Sequence, residues 1–261
     1  MALGLLGNVD AVWIALALLA AMLLVHELAF RRAGRVRRAV ADPDAEASTG
    51  LESSISLLLG LLLAFSFSMA AGRYEQRQDL VIAEANAIGT AWLRCDLLEP
   101  GAAAACRDGL REYTRLRLEI YEAPYEPAVL ADLVDRSQRS LDALWRTVAD
   151  AAVAAPSPNL SLVVQAMNDV IDRHGERVAA YRRHVPDEVI LMLLGLCLAW
   201  AAFTGHAQGW MGRRFRVGWP VFAVLVALLI YITFDFDRQK RGFIRLDATQ
   251  SLYDLRDSMG P

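Results

Sequence analysis

The stretch 55-ISLLLGLLLAFSFSMAAGRYEQRQDLVIAEANAIGTAWLRCDLL-98 changes character once, at Gly72-Arg73. From Ile55 to Ala71 it holds no charge. From Arg73 onward charges recur every few residues, while apolar side chains keep returning three and four positions apart. A run of roughly 20 apolar residues crosses a ~30 Å hydrocarbon core. Apolar residues at helical spacing among charges make a one-sided helix in water. The stretch therefore reads as a membrane span that continues out of the bilayer as an amphipathic helix.

Three more apolar runs reach spanning length: 11-AVWIALALLAAMLLVHELAF-30, 188-EVILMLLGLCLAWAAFTG-205 and 217-VGWPVFAVLVALLIYITF-234. The first is followed, not preceded, by positive charge (31-RRAGRVRR-38), so it is no cleaved signal peptide. Composition agrees with this mixture. The chain has 261 residues, 55% hydrophobic and 22% charged, with a net charge of −3 and a mean hydropathy of +0.29. That is too apolar for an ordinary soluble domain and too charged to be all membrane. No basic face points to nucleic acid.

The implied organisation is all-α. Residues 1–72 hold spans one and two with their Arg-rich connection, and 73–186 form an extramembrane helical bundle inserted between spans two and three. Residues 187–234 hold spans three and four, and 235–261 form a polar C-terminal tail. In the bundle, Leu80, Ala83, Ala87, Ala91, Arg94 and Leu98 mark one helix face, and Leu110, Tyr113, Leu116 and Ile120 another. Pro100-Gly101 breaks the first of these helices, and Pro124 with Pro127 ends the second. A third covers about 127–153. Ser157 or Asn159 caps a fourth that Pro186 stops. The tail stretch 250-QSLYDLRDSM-259 reads as a short amphipathic helix that docks through Leu252, Leu255 and Met259.

Arg31, Arg32, Arg35, Arg37 and Arg38 follow span one, and Arg213, Arg214 and Arg216 join spans three and four. The positive-inside rule puts both loops in the cytoplasm, hence the N-terminus and the bundle outside. Arg73, Arg77, Arg182 and Arg183 flank the other side, so the opposite orientation stays open. Lys240 is the only lysine and Ala and Leu abound, a composition that suggests a GC-rich bacterial genome, so the expected location is a bacterial inner membrane. Cys95 and Cys106 lie five residues either side of Pro100-Gly101. Positions equidistant from the turn of a helical hairpin face each other. The two can form a disulfide if the bundle lies in an oxidising compartment, or remain two reduced packing residues. Cys197, inside span three, reads as a packing residue.

Span two carries small residues at Ser56, Gly60, Ala64, Ser68 and Gly72. Such a face serves close helix packing, or lines a narrow conduit. Asp235, Asp237 and Arg238, where span four ends, are expected to pair with Arg73 and Arg77 in an interfacial ion-pair collar. No charge lies deep in a span, which argues against a proton- or ion-coupled transporter. His26-Glu27 lacks a second His at i+4, and no phosphate loop or nucleophile elbow is present. The expectation is a non-enzyme with no cofactor and no metal.

The stretch 57–98 and the segment 235-DFDRQKRGFIRLD-247 resemble a family of bacterial membrane proteins of the DUF4239 type, called bestrophin-like. Glu-Ala-Asn-Ala-Ile-Gly at 84–89 and Asp-Arg-x-x-Arg-Gly at 237–242 carry the resemblance. It implies an oligomeric anion channel, a pentamer of this chain, with span two around the axis. Leu57, Gly60, Leu61 and Ala64 would then face the pore, beside the stripe residues Ser56 and Ser68. The partners would be the lipid bilayer, further copies of the chain and a small anion. The competing reading is a membrane-anchored helical scaffold or sensor that binds a partner through its bundle.

Overall fold

A computed structural model describes residues 9–39, 49–154, 156–182, 186–237 and 247–260. Among the described residues all regular structure is helical. The helices are α1 (Ala11–Ala39), α2 (Thr49–Arg94), α3 (Pro100–Glu122), α4 (Pro127–Ala154), α5 (Pro158–Arg182), α6 (Asp187–Met211), α7 (Gly218–Asp237) and α8 (Gln250–Ser258). Short 3-10 turns cover Cys95–Leu97 and Asp247–Thr249. α1, α2, α6 and α7 are long and apolar enough to cross a membrane. α2 is one helix of 46 residues. At 1.5 Å per residue that is roughly 69 Å, over twice the hydrocarbon thickness. Its apolar part ends at Ala71, so the remainder lies outside the lipid.

The chain divides into two compact units, Met1–Arg73 with His184–Ile244, and Tyr74–Arg183 with Arg245–Pro261. In the membrane unit the core holds Leu18 and Met22 of α1, Leu59 and Leu63 of α2, Cys197 and Ala201 of α6, and Ile230 of α7. α1 and α6 approach most closely at Gly205 and Gly209. A Cβ on either would overlap a backbone carbonyl oxygen of α1, from His26 and Phe30 respectively. In lipid, where apolar surface gains nothing by leaving the solvent, such glycine pairs let helices gain dispersion contact. α6 stops at Gly212, whose φ of +68° is the left-handed cap that glycine adopts without strain.

The second unit packs α3, α4, α5 and the polar half of α2 around Ile88, Leu110, Leu141 and Met167. Its prolines act mainly as helix starters. Pro100 opens α3, and the preceding helix has already ended in the turn at Cys95–Leu97. Pro127 opens α4. A first-turn proline loses no hydrogen bond, because its N–H would have had no helical partner. At α5 the cap is Ser157, whose Oγ accepts from the Leu160 N–H at 3.2 Å. The residues after 247 are part of this unit. Leu252 is fully buried and Met259 nearly so. Arg111 Nη2 donates to the Met259 carbonyl at 3.1 Å, and Ala248 N–H donates to Gln78 Oε1 at 2.8 Å.

One expected face is displaced. On the polar half of α2 and in the turn after it the buried positions are Arg77, Val81, Glu84, Ala85, Ile88, Ala91, Cys95 and Leu98. Leu80, Ala83, Ala87 and Arg94 are only half-buried. The face is turned about one residue, because its centre is a glutamate that a hydrophobicity pattern counts as outward.

Candidate functional site

In the membrane half of α2, Leu59, Leu63, Ser66 and Ala70 face the other helices of the unit. The opposite face is open. Leu57 is 76% exposed, Leu61 51% and Phe65 61%. Gly60, Ala64 and Ser68 are exposed between them, and nothing lies within 4 Å of where a Cβ on Gly60 would be. Ser56 stands apart from this set: it is half-buried, and its Oγ accepts from Trp200 Nε1 of α6 at 2.9 Å. The spacing of four residues covers 400°, so a stripe of small residues drifts by roughly 40° per step. Its first member has turned inward. Trp200 stacks on Trp219, which donates to Thr204 Oγ1 at 2.8 Å and stacks on His26 with ring centroids 3.7 Å apart.

Of the expected collar, Arg73 Nη1 and Asp237 Oδ1 stand 3.7 Å apart within the membrane unit. Asp235 and Asp237 belong to the last turn of α7 and are buried. Arg77 is buried on the polar half of α2. Arg238 lies outside the described residues. Cys95 and Cys106 are bonded and fully buried, with Cα atoms 5.9 Å apart. They join the turn after α2 to α3. Cys197 is a buried free thiol.

The most charged interior site was not anticipated. Glu84 of α2 is completely buried. Arg117 Nε of α3 approaches its carboxylate at 3.0 Å, and Arg177 Nη1 of α5 is ion-paired to it. The Tyr113 hydroxyl donates to Glu84 Oε1 at 2.5 Å and lies 2.9 Å from His174 Nδ1. A hydroxyl has one proton, so Tyr113 accepts from His174, whose proton is then on Nδ1. Burial alone would raise the Glu84 carboxyl, but Arg117, Arg177 and the Tyr113 hydroxyl hold it down at about 2. Burial, assisted by Arg117, pushes His174 down to about 4. Burial also lowers Arg177, to about 10, with Arg117 adding to the effect.

A polar column on one helix facing another was the available signal. Tyr113, Arg117 and Tyr121 recur at i, i+4 on α3, and His174 and Arg177 at i, i+3 on α5. Glu84 opens the Glu-Ala-Asn-Ala-Ile-Gly run. Among the described residues no group of His, Cys, Asp and Glu could hold a metal ion.

The sequence pattern of the Bestrophin-like domain matches residues 16–250. No curated protein matches the chain. Crystal structures of a bacterial bestrophin homologue from Klebsiella pneumoniae have the same fold. One, phased on zinc, superposes with a TM-score of 0.68 at 11% identity, covering 95% of this chain and 96% of that one. A tyrosine-to-alanine variant gives 0.67 at 13%, over 91% and 96%. An aspartate-to-alanine variant gives 0.66 at 14%, over 92% and 98%. With four spanning helices, a helical unit between the second and third, and a family pattern over most of its length, this chain belongs to the bestrophin-like family.

Proposed function

We propose that this chain is the subunit of an oligomeric anion channel, with α2 lining the pore around a symmetry axis. The observation that carries this reading is the open face of α2: Leu57, Gly60, Leu61, Ala64 and Ser68 point away from every helix of their own membrane unit. A scaffold that used these small residues for internal packing would have covered them. The α1–α6 crossing shows where internal packing is done, at Gly205 and Gly209.

On a symmetry axis, Leu57 and Leu61 would form apolar rings one turn apart, a constriction that gates by excluding water. Ser68 would offer a hydroxyl donor to a passing anion. Family membership supports a homo-oligomer, and the bestrophin resemblance implies five copies. The bundle, with its disulfide, would lie on the oxidising side of a bacterial inner membrane, together with the N-terminus.

The test is conduction by purified protein in planar bilayers. Wild type is expected to pass an anion current, and Gly60→Leu, which puts bulk on the open face, to reduce or block it. A monodisperse oligomer of wild type that passes no current sinks the proposal.

A further inference from the structure

We propose that Arg117, Arg177 and the Tyr121 hydroxyl form a binding site for a small inorganic anion inside the helical bundle of each subunit. Three observations lead there. The first is charge. Glu84 is the only carboxylate within ion-pair distance of either guanidinium among the described residues. The His174 ring is neutral above its low pKa. Two cations against one anion leave a net positive charge on side chains that are only 5% and 10% exposed. An uncompensated charge in such a place is strongly unfavourable, and a small anion cancels it.

The second observation is an idle donor. The Tyr121 Oη atom is buried, and among the described residues it has no hydrogen-bond partner. A buried hydroxyl that donates to nothing forfeits the bond it had with water. The third is placement. Tyr121 lies one helical turn beyond Arg117 on the same face of α3. The guanidinium of Arg177 lies over its ring, 5.2 Å from the centroid. The idle hydroxyl is thus carried beside the surplus cation. Both guanidinium groups keep N–H donors beyond those used on Glu84. Together they present N–H and O–H donors with a net positive charge, which favours a small monovalent anion of the halide type over a cation.

The site adds a resting place for the anion of the proposed channel, and that role rests on the channel reading; the binding itself does not. Bromide is the probe. Crystals of the full-length protein grown in bromide are expected to show an anomalous peak within hydrogen-bond distance of Tyr121 Oη and Arg177. In detergent, bromide is expected to raise the thermal midpoint saturably over gluconate at equal ionic strength. Tyr121→Phe, which removes only the idle hydroxyl, is expected to weaken that response about ten-fold. Arg177→Lys, which keeps charge but loses the planar fork, should weaken it as well. The absence of the anomalous peak at this place in wild-type crystals overturns the proposal. So does a bromide response identical in wild type and Tyr121→Phe. Protein that is silent in bilayers yet shows the peak refutes the channel alone; protein that conducts without the peak refutes this site alone.

Discussion

Glu84 carries the strongest single-residue expectation. Its carboxyl titrates near 2 in the folded chain, against 4.5 when unperturbed. A depressed carboxyl stabilises the fold above its unfolded pKa and loses that contribution as pH falls through the folded one. The difference amounts to about 3 kcal/mol, lost between roughly pH 4.5 and pH 2. His174 acts in the same direction at higher pH. Its folded pKa of about 4 lies below the usual 6.5, so the unfolded chain takes up the proton first. Stability is complete above pH 6.5 and declines toward pH 4. Unfolding midpoints of the wild type, followed by tryptophan fluorescence across this range, are expected to fall in both windows. His174→Gln should flatten the upper one. Glu84→Gln leaves two guanidinium groups without their counter-charge and is expected to cost about 3–5 kcal/mol at neutral pH. An unchanged midpoint would refute the buried network. Neither side chain was recognisable as interior from its own residue type, since burial of a charge is decided by what faces it.

Helix packing makes a sharper contrast between two sets of small residues. The stripe on α2 drew attention because glycine, alanine and serine recur every four positions, yet Gly60 has open space around it. The pair in α6, Gly205 and Gly209, has the same spacing and is pressed against the α1 backbone. Gly209→Ala is therefore expected to force the helices apart and lower stability by about 1–3 kcal/mol. Gly60→Ala is expected to leave the thermal midpoint in detergent unchanged. Equal effects would contradict the assignment of these two faces. The hairpin of α2 and α3 is held by Cys95 and Cys106, eleven positions apart. Loop-closure entropy for such a ring corresponds to roughly 3 kcal/mol, so Cys106→Ser should lower the midpoint of the non-reduced protein measurably.

For the chain as a membrane protein, orientation is the open variable that chemistry can read directly. A disulfide persists where thiols are oxidised and is rare in a reducing cytoplasm. Cells acid-quenched, denatured and treated with a mass-adding maleimide should show one modified thiol, Cys197, before reduction and three after it. Three reactive thiols without reductant would place the bundle in the cytoplasm and reverse the topology proposed above. Assembly is tested separately, by native mass measurement in nanodiscs, where five copies are expected. A monomer would leave the open face of α2 to lipid and remove the basis of the pore.

Four crossings and an all-helical lobe between the second and third could be read from the chain because each follows from local rules. A bilayer demands about 20 apolar residues, and backbone groups in lipid must bond within their own helix. Prolines and serines mark helix boundaries by the same backbone logic, as in the break expected at Pro100 and the cap at Ser157, whereas the opening of α3 by Pro100 itself is seen in the fold. The outcomes that needed the folded chain all join residues far apart in sequence. They are the covered face of α2, the inward turn of Ser56 toward Trp200, the pairing of Glu84 with Arg117 and Arg177, and the choice of α3 as the helix that receives α8. Hydrophobic periodicity reports how apolar a side chain is, whereas these contacts depend on which partner stands opposite, and that is set only when the helices pack.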